Sequence, residues 1–283
     1  MGGNEFIKVL RYDPLMIVDS RAGSPLLMAA DPPVVQVINE AGAAPVVLVC
    51  DHASNTVPKS LGDLGLGAGG LDHHIAWDDG AAAITRHLSE RLDAPAVLAG
   101  YSRLVIDCNR ELGHETSIVA VSDGIVIPGN TQISPAEFAR RADAVFHPYH
   151  DEVKRTIAGI RRKGRAPAVL AIHSFTPEMD GIARPWHISV LWGSDPRIPE
   201  PLMAALGAHD GLVVGDNVPY SGRGKFGHTI EVHASAAGLP NAMIEIRADL
   251  VCDDAGITRI ADLLGGSLEF ILADPALYRS EIY

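Results

Sequence analysis

Cysteine is scarce in this sequence of 283 residues, which contains only Cys50, Cys108 and Cys252. An odd number of cysteines without a Cys-x-x-Cys pair predicts neither a disulfide framework nor a zinc site built from thiolates. Because reduced thiols are typical of the cytoplasm, we expect a cytoplasmic protein. Hydrophobic residues make up 47% of the chain and charged residues 20%, so we expect an ordinary globular protein.

Long apolar runs and an excess of basic charge are also missing. No segment approaches the roughly 20 uninterrupted apolar residues that a membrane-spanning helix needs, and residues 1–14 lack the apolar core of a signal peptide. The formal net charge of −12 argues against a general affinity for nucleic acids or anionic membranes, and we expect neither as a partner. A small anionic substrate remains compatible, because a few arginines can dominate the field inside a pocket.

The length fits one large domain or two small ones, and α/β domains often exceed about 200 residues. Residues 1–40 have scattered prolines and no clear hydrophobic period, so we predict an N-terminal extension that wraps the domain or frays from it. Residues 41–283 are predicted to form a single domain. The sequence leaves open whether the chain forms a homo-oligomer.

Apolar, β-branched runs alternate with amphipathic segments along this domain. Strands are predicted at 46–50, 94–100, 103–109, 166–174, 187–193, 210–215, 228–233 and 241–250. Helices are predicted at 78–93, at 134–162 with Ser134 as N-cap and Pro135 in the first turn, and at 254–273. This alternation predicts an α/β fold with three layers, α/β/α, around a mostly parallel, mixed central sheet.

Polar side chains stand at the ends of several predicted strands, where open α/β sheets bind their ligands. These residues are Asp51, His52, Arg103, Asp107, Asn109, Arg110, His173, Ser174, Glu245 and Arg247. Four separate strands thus deliver histidines, carboxylates and arginines to what we predict to be one rim.

Two histidines in this set predict a zinc site. His52 and His173 each follow a buried apolar run, and a catalytic zinc typically has three protein ligands and one open position. The third ligand is expected from the segment that precedes the helix at 78–93. Asp78 is favoured, then His74, and the alternative for Asp78 is an N-cap of that helix.

Glu245 is the candidate general base, because a glutamate inside an apolar strand is costly unless it is paired, coordinated or functional. A metal would lower the pKa of its bound water, and Glu245 would pass the proton to the leaving amine. The alternative is a buried ion pair with Arg247, which lies on the same face of the strand. Arg103 and Arg110 are candidates for stabilising an oxyanion and clamping a carboxylate, with surface salt bridges as the alternative.

Two further histidines are candidates for substrate contact. His74 has this role if Asp78 is the metal ligand. His233, at the end of the predicted strand 228–233, is a candidate proton shuttle or substrate ligand. Serine chemistry is not indicated, since no Gly-x-Ser-x-Gly motif surrounds the serines near these strands.

Together, these motifs resemble those of the N-formylglutamate amidohydrolase family. The matching stretches, in family order, are CDHASNTVP, HHIAWDDGA, SRLVIDCNR, FHPYHDEV, AIHSFTP, VPYSGR and NAMIEIRADL. They cover most of the chain. The resemblance implies a zinc-dependent exopeptidase-like fold of the phosphorylase/hydrolase-like type, shared more distantly with zinc carboxypeptidases and aspartoacylases.

The resemblance also implies roles for individual residues. His52 and His173 resemble the histidine ligands of the zinc. Arg103 resembles the oxyanion arginine, and Glu245 resembles the general base. The run at 107–110 is similar to the Asp-Leu-Asn-Arg run that holds a substrate carboxylate in aspartoacylases, which implies this role for the asparagine and arginine of the run.

One position departs from the carboxypeptidase-like pattern, which has a metal-binding glutamate three residues after the first histidine. Asn55 stands there, so the third ligand must come from elsewhere. The predicted protein is a hydrolase with one zinc ion per chain, which cleaves an N-formyl or other short N-acyl group from a small carboxylate-bearing amino acid held by Asn109 and Arg110. The alternatives are a deacylase for a different N-acyl amino acid or a peptide terminus, and a non-catalytic metal- or ligand-binding protein.

Overall fold

A computed structural model of the protein describes residues 25–179, 181–223 and 227–283. The first 24 residues of the predicted extension lie outside the described residues. The strands are β1 (Val35–Ile38), β2 (Val46–Cys50), β3 (Ala96–Ala99), β4 (Val121–Ser122), β5 (Ile125–Val126), β6 (Ala168–Phe175), β7 (Glu178–Met179), β8 (Ile182–Ala183), β9 (Ile188–Leu191), β10 (Val214–Asp216) and β11 (Asn241–Arg247). The helices are α1 (Ala81–Arg91), α2 (Pro135–Arg141), α3 (His147–Arg161), α4 (Pro199–Gly207), α5 (His228–His233) and α6 (Asp254–Leu272). A π-helical segment at Ala142–Phe146 joins α2 to α3, and single 3₁₀ turns lie at Lys59–Leu61, Gly70–Asp72, Pro128–Asn130, Ser235–Ala237, Ala248–Leu250 and Pro275–Leu277.

Seven strands form the central sheet in the order β1-β3-β2-β6-β11-β9-β10. Neighbouring strands are parallel, except that β1 is antiparallel to β3 and β9 is antiparallel to β11. The prediction of a mostly parallel, mixed sheet is confirmed. β1 falls inside the predicted extension, so part of that segment forms an edge of the sheet.

Helices cover both faces of the sheet. Successive side chains of a strand point to opposite faces, and in β2 Val46, Leu48 and Cys50 pack in an apolar cluster with α1, α4 and α6. Val47 and Val49 pack in the opposite cluster with α3 and α5. All residues of β2 are buried, as expected for a parallel strand with helices on both sides. The predicted three layers are confirmed. No helix in the described part of the chain is both long and apolar enough to cross a membrane.

The sheet brings distant segments of the sequence to one edge. The carboxyl ends of β2, β6 and β11 lie together because these strands are parallel neighbours. Glu245 on β11 lies opposite His173 on β6, and on its other side it lies opposite Ser189 on β9. Two small antiparallel hairpins, β4–β5 and β7–β8, lie outside the central sheet.

The strand predicted at 103–109 is wrong, because this segment consists of turns. The carboxylate of Asp107 accepts the backbone N–H of Asn109 at 2.8 Å, which bends the chain where a strand would continue. The apolar residues 104–106 are nevertheless buried. Their apolar character therefore indicates burial and not strand pairing.

The strand predicted at 228–233 is also wrong, because these residues form α5. Gly227 precedes the helix with a left-handed φ of 101°, and its carbonyl accepts the N–H of Glu231 at 2.9 Å. The apolar residues Ile230 and Val232 alternate as in a strand, yet Ile230 is buried and Val232 is exposed. A helix of this length is too short for its sequence pattern to distinguish it from a strand.

Candidate metal centre and active site

Three buried side chains from separate segments meet at the carboxyl edge of the sheet. They are His52, Asp78 and His173, and one ligand atom of each lies within 4.8 Å of the others. Oδ2 of Asp78 lies 3.2 Å from Nδ1 of His52 and 2.8 Å from Nδ1 of His173. Two imidazoles and a carboxylate directed at one point are a ligand set that zinc accepts.

Asp78 joins this group because α1 begins later than predicted. The helix begins at Ala81, and its N-cap is Gly80 with a left-handed φ of 75°. A side chain at Gly80 would place its Cβ 2.4 Å from Val251, so the close packing here requires glycine. The N–H of Asp78 donates to the carbonyl of His52 at 3.0 Å. The alternative of Asp78 as the helix N-cap is therefore wrong.

The second nitrogen of each ring bonds to a further carboxylate. Nε2 of His52 lies 2.8 Å from Oδ1 of Asp107, and Nε2 of His173 lies 3.1 Å from Oδ2 of Asp51. A proton on Nε2 leaves the Nδ1 lone pair for a metal, so these carboxylates select the ligating tautomer. The hydroxyl of Thr229 donates to Oδ1 of Asp51 at 2.6 Å and holds that carboxylate in place.

Carboxylates dominate the charge of this group. Burial opposes ionisation of Asp51, yet the hydrogen bond and charge of His173 keep its pKa at about 2. Burial also opposes protonation of His173, yet the bonds to Asp51 and Asp78 hold its pKa well above the usual value. Of the three buried carboxylates, those of Asp78 and Asp107 contact the guanidinium of Arg103, and the charge of Arg110 also acts on Asp107. A divalent cation that displaces the ring protons would balance these carboxylates in their place, so the residues present fit such an ion.

Arg103 belongs to the site and not to a surface salt bridge. Its Nη2 donates to Oδ2 of Asp107 at 2.8 Å, and its Nη1 lies 3.6 Å from Oδ1 of Asp78. The side chain is only 26% exposed. These contacts hold the guanidinium beside the metal-capable group, where negative charge on a substrate would meet it.

Glu245 carries a buried carboxylate whose Oε2 has no hydrogen-bond partner in the structure. Burial raises the pKa of Glu245 to about 7. Arg247, its alternative partner, instead pairs with Asp249 at 2.7 Å. The Glu245–Arg247 ion pair considered from the sequence is therefore wrong. A buried carboxylate with a partnerless oxygen and a raised pKa, beside a metal-capable group, has the properties of a proton acceptor.

Asn109 and Arg110 stand at the same site. Nδ2 of Asn109 lies 3.5 Å from Nε2 of His173, and its Oδ1 accepts the N–H of Thr229 at 3.2 Å. The guanidinium of Arg110 donates to the Thr116 hydroxyl at 3.2 Å and to the carbonyl of Asn109 at 2.9 Å. These two bonds hold the guanidinium at the cavity wall, beside Asn109.

A cavity of about 300 Å³ is lined by the three metal-capable residues and by Arg103, Asp107, Asn109, Arg110 and Glu245, but not by Asp51, Thr229 or Arg247. The hairpins contribute Val121 and Met179 to its wall. A second cavity, of about 460 Å³, lies beside Trp192 and Tyr283 and is lined by none of the predicted site residues. The smaller cavity is therefore the candidate active site.

The structure brings only one of the two remaining histidines to this cavity. His74 lines the wall, with its Nε2 3.2 Å from the carboxylate of Asp123, and is not a member of the metal-capable group. His233 does not line the cavity. Its Nε2 lies 2.8 Å from Nδ1 of His150, which in turn contacts the carbonyl of Cys108. His233 is therefore not positioned to contact a substrate in this cavity.

Sequence reasoning assigned no role to two residues that support the site. Asp51 directly precedes His52 after a buried strand, and this position was its only signal. Thr229 was missed because residues 228–233 were predicted to be a strand. Its hydroxyl reaches Asp51 only because α5 packs against the carboxyl edge of the sheet.

The fold and the site together define a mixed α/β protein with a candidate metal centre at the carboxyl edge of its sheet. The profile of the family FGase, N-formylglutamate amidohydrolase, matches residues 44–252. The match covers most of the chain, and the protein belongs to the N-formylglutamate amidohydrolase family. The resemblance drawn from the motifs is confirmed.

Solved structures that are similar to this chain include two crystal structures. The gene product Atu2144 from Agrobacterium tumefaciens has a TM-score of 0.83 and 39% identity, over 87% of this chain and 99% of that one. N-formylglutamate amidohydrolase from Ralstonia eutropha JMP134 has a TM-score of 0.57 and 20% identity, over 84% of this chain and 96% of that one. The second similarity shows a shared fold alone. No curated protein matches the chain.

Proposed function

We propose that the protein hydrolyses the amide bond of an N-formyl or other short N-acyl amino acid, with N-formylglutamate as the first substrate to test. Membership of the N-formylglutamate amidohydrolase family supports amide hydrolysis. The observation that carries the proposal is the buried carboxylate of Glu245, whose Oε2 has no hydrogen-bond partner and which lies opposite His173 in the sheet. A site that only bound a metal would have no need of this carboxylate.

One zinc ion would be held by Nδ1 of His52, Nδ1 of His173 and Oδ2 of Asp78. Two imidazoles and one carboxylate are a known ligand set of catalytic zinc. When bound, the ion would supply a Lewis acid for the amide carbonyl and lower the pKa of a water molecule at the site.

Glu245 would move the proton. Because burial raises its pKa to about 7, its carboxylate can take a proton from the attacking water and give it to the leaving nitrogen near neutral pH. Arg103 would stabilise the negative charge that develops on the carbonyl oxygen, since Asp107 holds its guanidinium within the cavity.

Asn109 and Arg110 would hold the carboxylate of the substrate. A guanidinium binds a carboxylate through two parallel hydrogen bonds, and the Asn109 amide lies close enough to His173 to place that carboxylate near the reacting bond. His74, on the cavity wall, would provide a further contact. A cavity of about 300 Å³ suits a small substrate.

Substituting Glu245→Gln tests the proton transfer. The amide keeps the shape of the side chain but cannot accept the proton, so we expect kcat for N-formylglutamate to fall at least about 100-fold while zinc still binds. The matched control is Glu90→Gln, at an exposed position on α1. Full activity of the Glu245 variant would rule out this base.

The acyl group and the amino acid are tested by a panel of formyl-, acetyl- and carbamoyl-amino acids and N-formyl peptides. The proposal expects the formyl amino acids to be the best substrates. Preference for another acyl group or a peptide terminus would keep the chemistry and change the substrate. Stoichiometric zinc without hydrolysis of any member would identify a metal-binding protein instead.

A further inference from the structure

Arg184 is a half-buried arginine beside the cavity, and none of the carboxylates that the structure describes forms an ion pair with it. It directly follows β8. Its N–H donates to the carbonyl of Pro177 at 2.8 Å, and its carbonyl accepts from Nη1 of Arg247 at 3.3 Å. The fold therefore fixes its backbone on both sides.

The side-chain partners of Arg184 are neutral. Its Nη1 donates to the hydroxyls of Thr176 at 3.2 Å and Tyr220 at 3.3 Å, and its Nη2 contacts the sulfur of Met179 at 2.9 Å. The guanidinium carbon lies 6.0 Å from the ring centre of Phe175 and 5.3 Å from that of Tyr220. All four partners line the active-site cavity. Arg184 thus lies directly behind one wall of that cavity.

The charge of Arg184 acts inside the cavity. Burial is the main cause that lowers the pKa of His74, and the positive charge of Arg184 adds to this effect. Burial raises the pKa of Tyr220, and Arg184 opposes the rise by favouring the phenolate. Both residues line the cavity. A negatively charged ligand group at this wall would therefore be favoured.

One partner of Arg184 is easily replaced. A thioether is a weak hydrogen-bond acceptor, and a methionine side chain is flexible. Met179 itself lines the cavity, so a rotation of its side chain would uncover Nη2 of Arg184 on that side. A carboxylate oxygen is a much stronger acceptor for a guanidinium than sulfur is. The site can therefore exchange a weak neutral contact for an ion pair.

Resting on the proposed function, we propose that Arg184 binds a second carboxylate of the substrate, on its side chain, so that the enzyme selects N-acyl derivatives of acidic amino acids. Asn109 and Arg110 hold the first carboxylate. N-formylglutamate carries both groups. N-formylglutamine has nearly the same size and shape but lacks the second charge, so the two compounds isolate the contribution of Arg184.

The experiment measures kcat/KM for both compounds with the wild type and with Arg184→Met. We expect the wild type to prefer N-formylglutamate, and the variant to lose about 10- to 100-fold of this preference, mainly through KM. Arg155→Met is the matched control, because it removes the same charge from an exposed position on α3 and should leave the preference unchanged.

Thermal unfolding establishes whether Arg184→Met is folded. Arg184→Lys keeps the positive charge but loses the planar guanidinium, so we expect a preference for N-formylglutamate between those of the wild type and the methionine variant. If Arg184→Met does not fold, Arg184→Lys takes its place in the measurement. Equal losses for both compounds, or a wild type that does not distinguish them, would overturn the proposal.

Failure of the proposed function can be distinguished from failure of the proposed role of Arg184. If the wild type hydrolyses no member of the formyl, acetyl and carbamoyl panel, the proposed function fails, and calorimetric binding of free glutamate and glutamine tests Arg184 alone. Tighter binding of glutamate that Arg184→Met abolishes supports the role of Arg184. Equal affinity of the wild type for the two amino acids contradicts it.

Discussion

At the scale of single residues, carboxylates outside the proposed ligand set hold the two histidines of the candidate metal site. The Nε2 atom of His173 bonds to Asp51, and Thr229 in turn donates to Asp51. Outer carboxylates of this kind orient the ring and make the opposite nitrogen a better ligand. We therefore expect Asp51 to contribute to metal affinity without touching the metal.

Substituting Asp51→Asn should lower zinc affinity about 10- to 100-fold, because a neutral amide is a weaker acceptor for the imidazole N–H. Competition with a chromogenic chelator measures this affinity directly. Asp249→Asn, at an exposed position paired with Arg247, is the matched control. Unchanged affinity in the Asp51 variant would show that the bond between Asp51 and His173 does not tune the site.

Sequence reasoning identified His52, His173 and Glu245 because each lies within or just after an apolar strand of a parallel sheet. It could not decide between Asp78 and His74, because that choice depends on whether the helix begins at residue 78 or at residue 81. Helix boundaries are poorly fixed by sequence. Here the left-handed conformation of Gly80 sets the start of the helix and leaves Asp78 in the site.

At the scale of secondary-structure elements, α3 and α5 are joined by a pair of histidines, of which His150 is buried and His233 is half-buried. Nδ1 of His150 on α3 lies 2.8 Å from Nε2 of His233 on α5, and Nε2 of His150 contacts the carbonyl of Cys108. Burial lowers the pKa of His150 to about 4 and that of His233 to about 4. Both rings are therefore neutral in the folded protein at neutral pH.

This pair predicts a loss of stability in mild acid. Below the usual pKa of 6.5, these two histidines bind protons in the unfolded chain but stay neutral in the folded protein until the pH approaches about 4. The free energy of unfolding should therefore fall as pH drops from 6.5 towards about 4, by up to about 1.4 kcal/mol per pH unit for each proton taken up.

Urea unfolding at several pH values measures this slope. His233→Gln should make it shallower, with the exposed His209→Gln as the matched control. A slope identical in the wild type and the His233 variant would contradict the account of the pair.

The two errors at the element scale have a common physical origin. Residues 103–109 and 228–233 each contain alternating or continuous apolar residues, which are typical of strands. In the first segment, Asp107 replaces strand pairing with a turn. In the second, the helix is short and its burial is decided by packing against β6 and β11. Local patterns do not contain these tertiary contacts.

At the scale of the whole molecule, the net charge of the protein and the charges at the carboxyl edge of the sheet act differently on a substrate. The net charge of −12 is unfavourable for an anionic substrate at long range. Inside the cavity, Arg103 and Arg110 place positive charge beside the carboxylates, so an anionic group can be held next to them. The mostly parallel order of the strands was predictable from their alternation with helices. The antiparallel placement of β9 was not, because it follows β6 through the hairpin β7–β8 instead of a helical crossover.

The central claim is that zinc at His52, Asp78 and His173 is required for amide hydrolysis. The most direct measurement is the metal content of the purified protein, combined with N-formylglutamate hydrolysis before and after chelation. The account predicts about one zinc ion per chain, with activity lost on chelation and restored when zinc is returned. A protein that binds no metal under any loading condition, or that hydrolyses the substrate equally well after chelation, would contradict it.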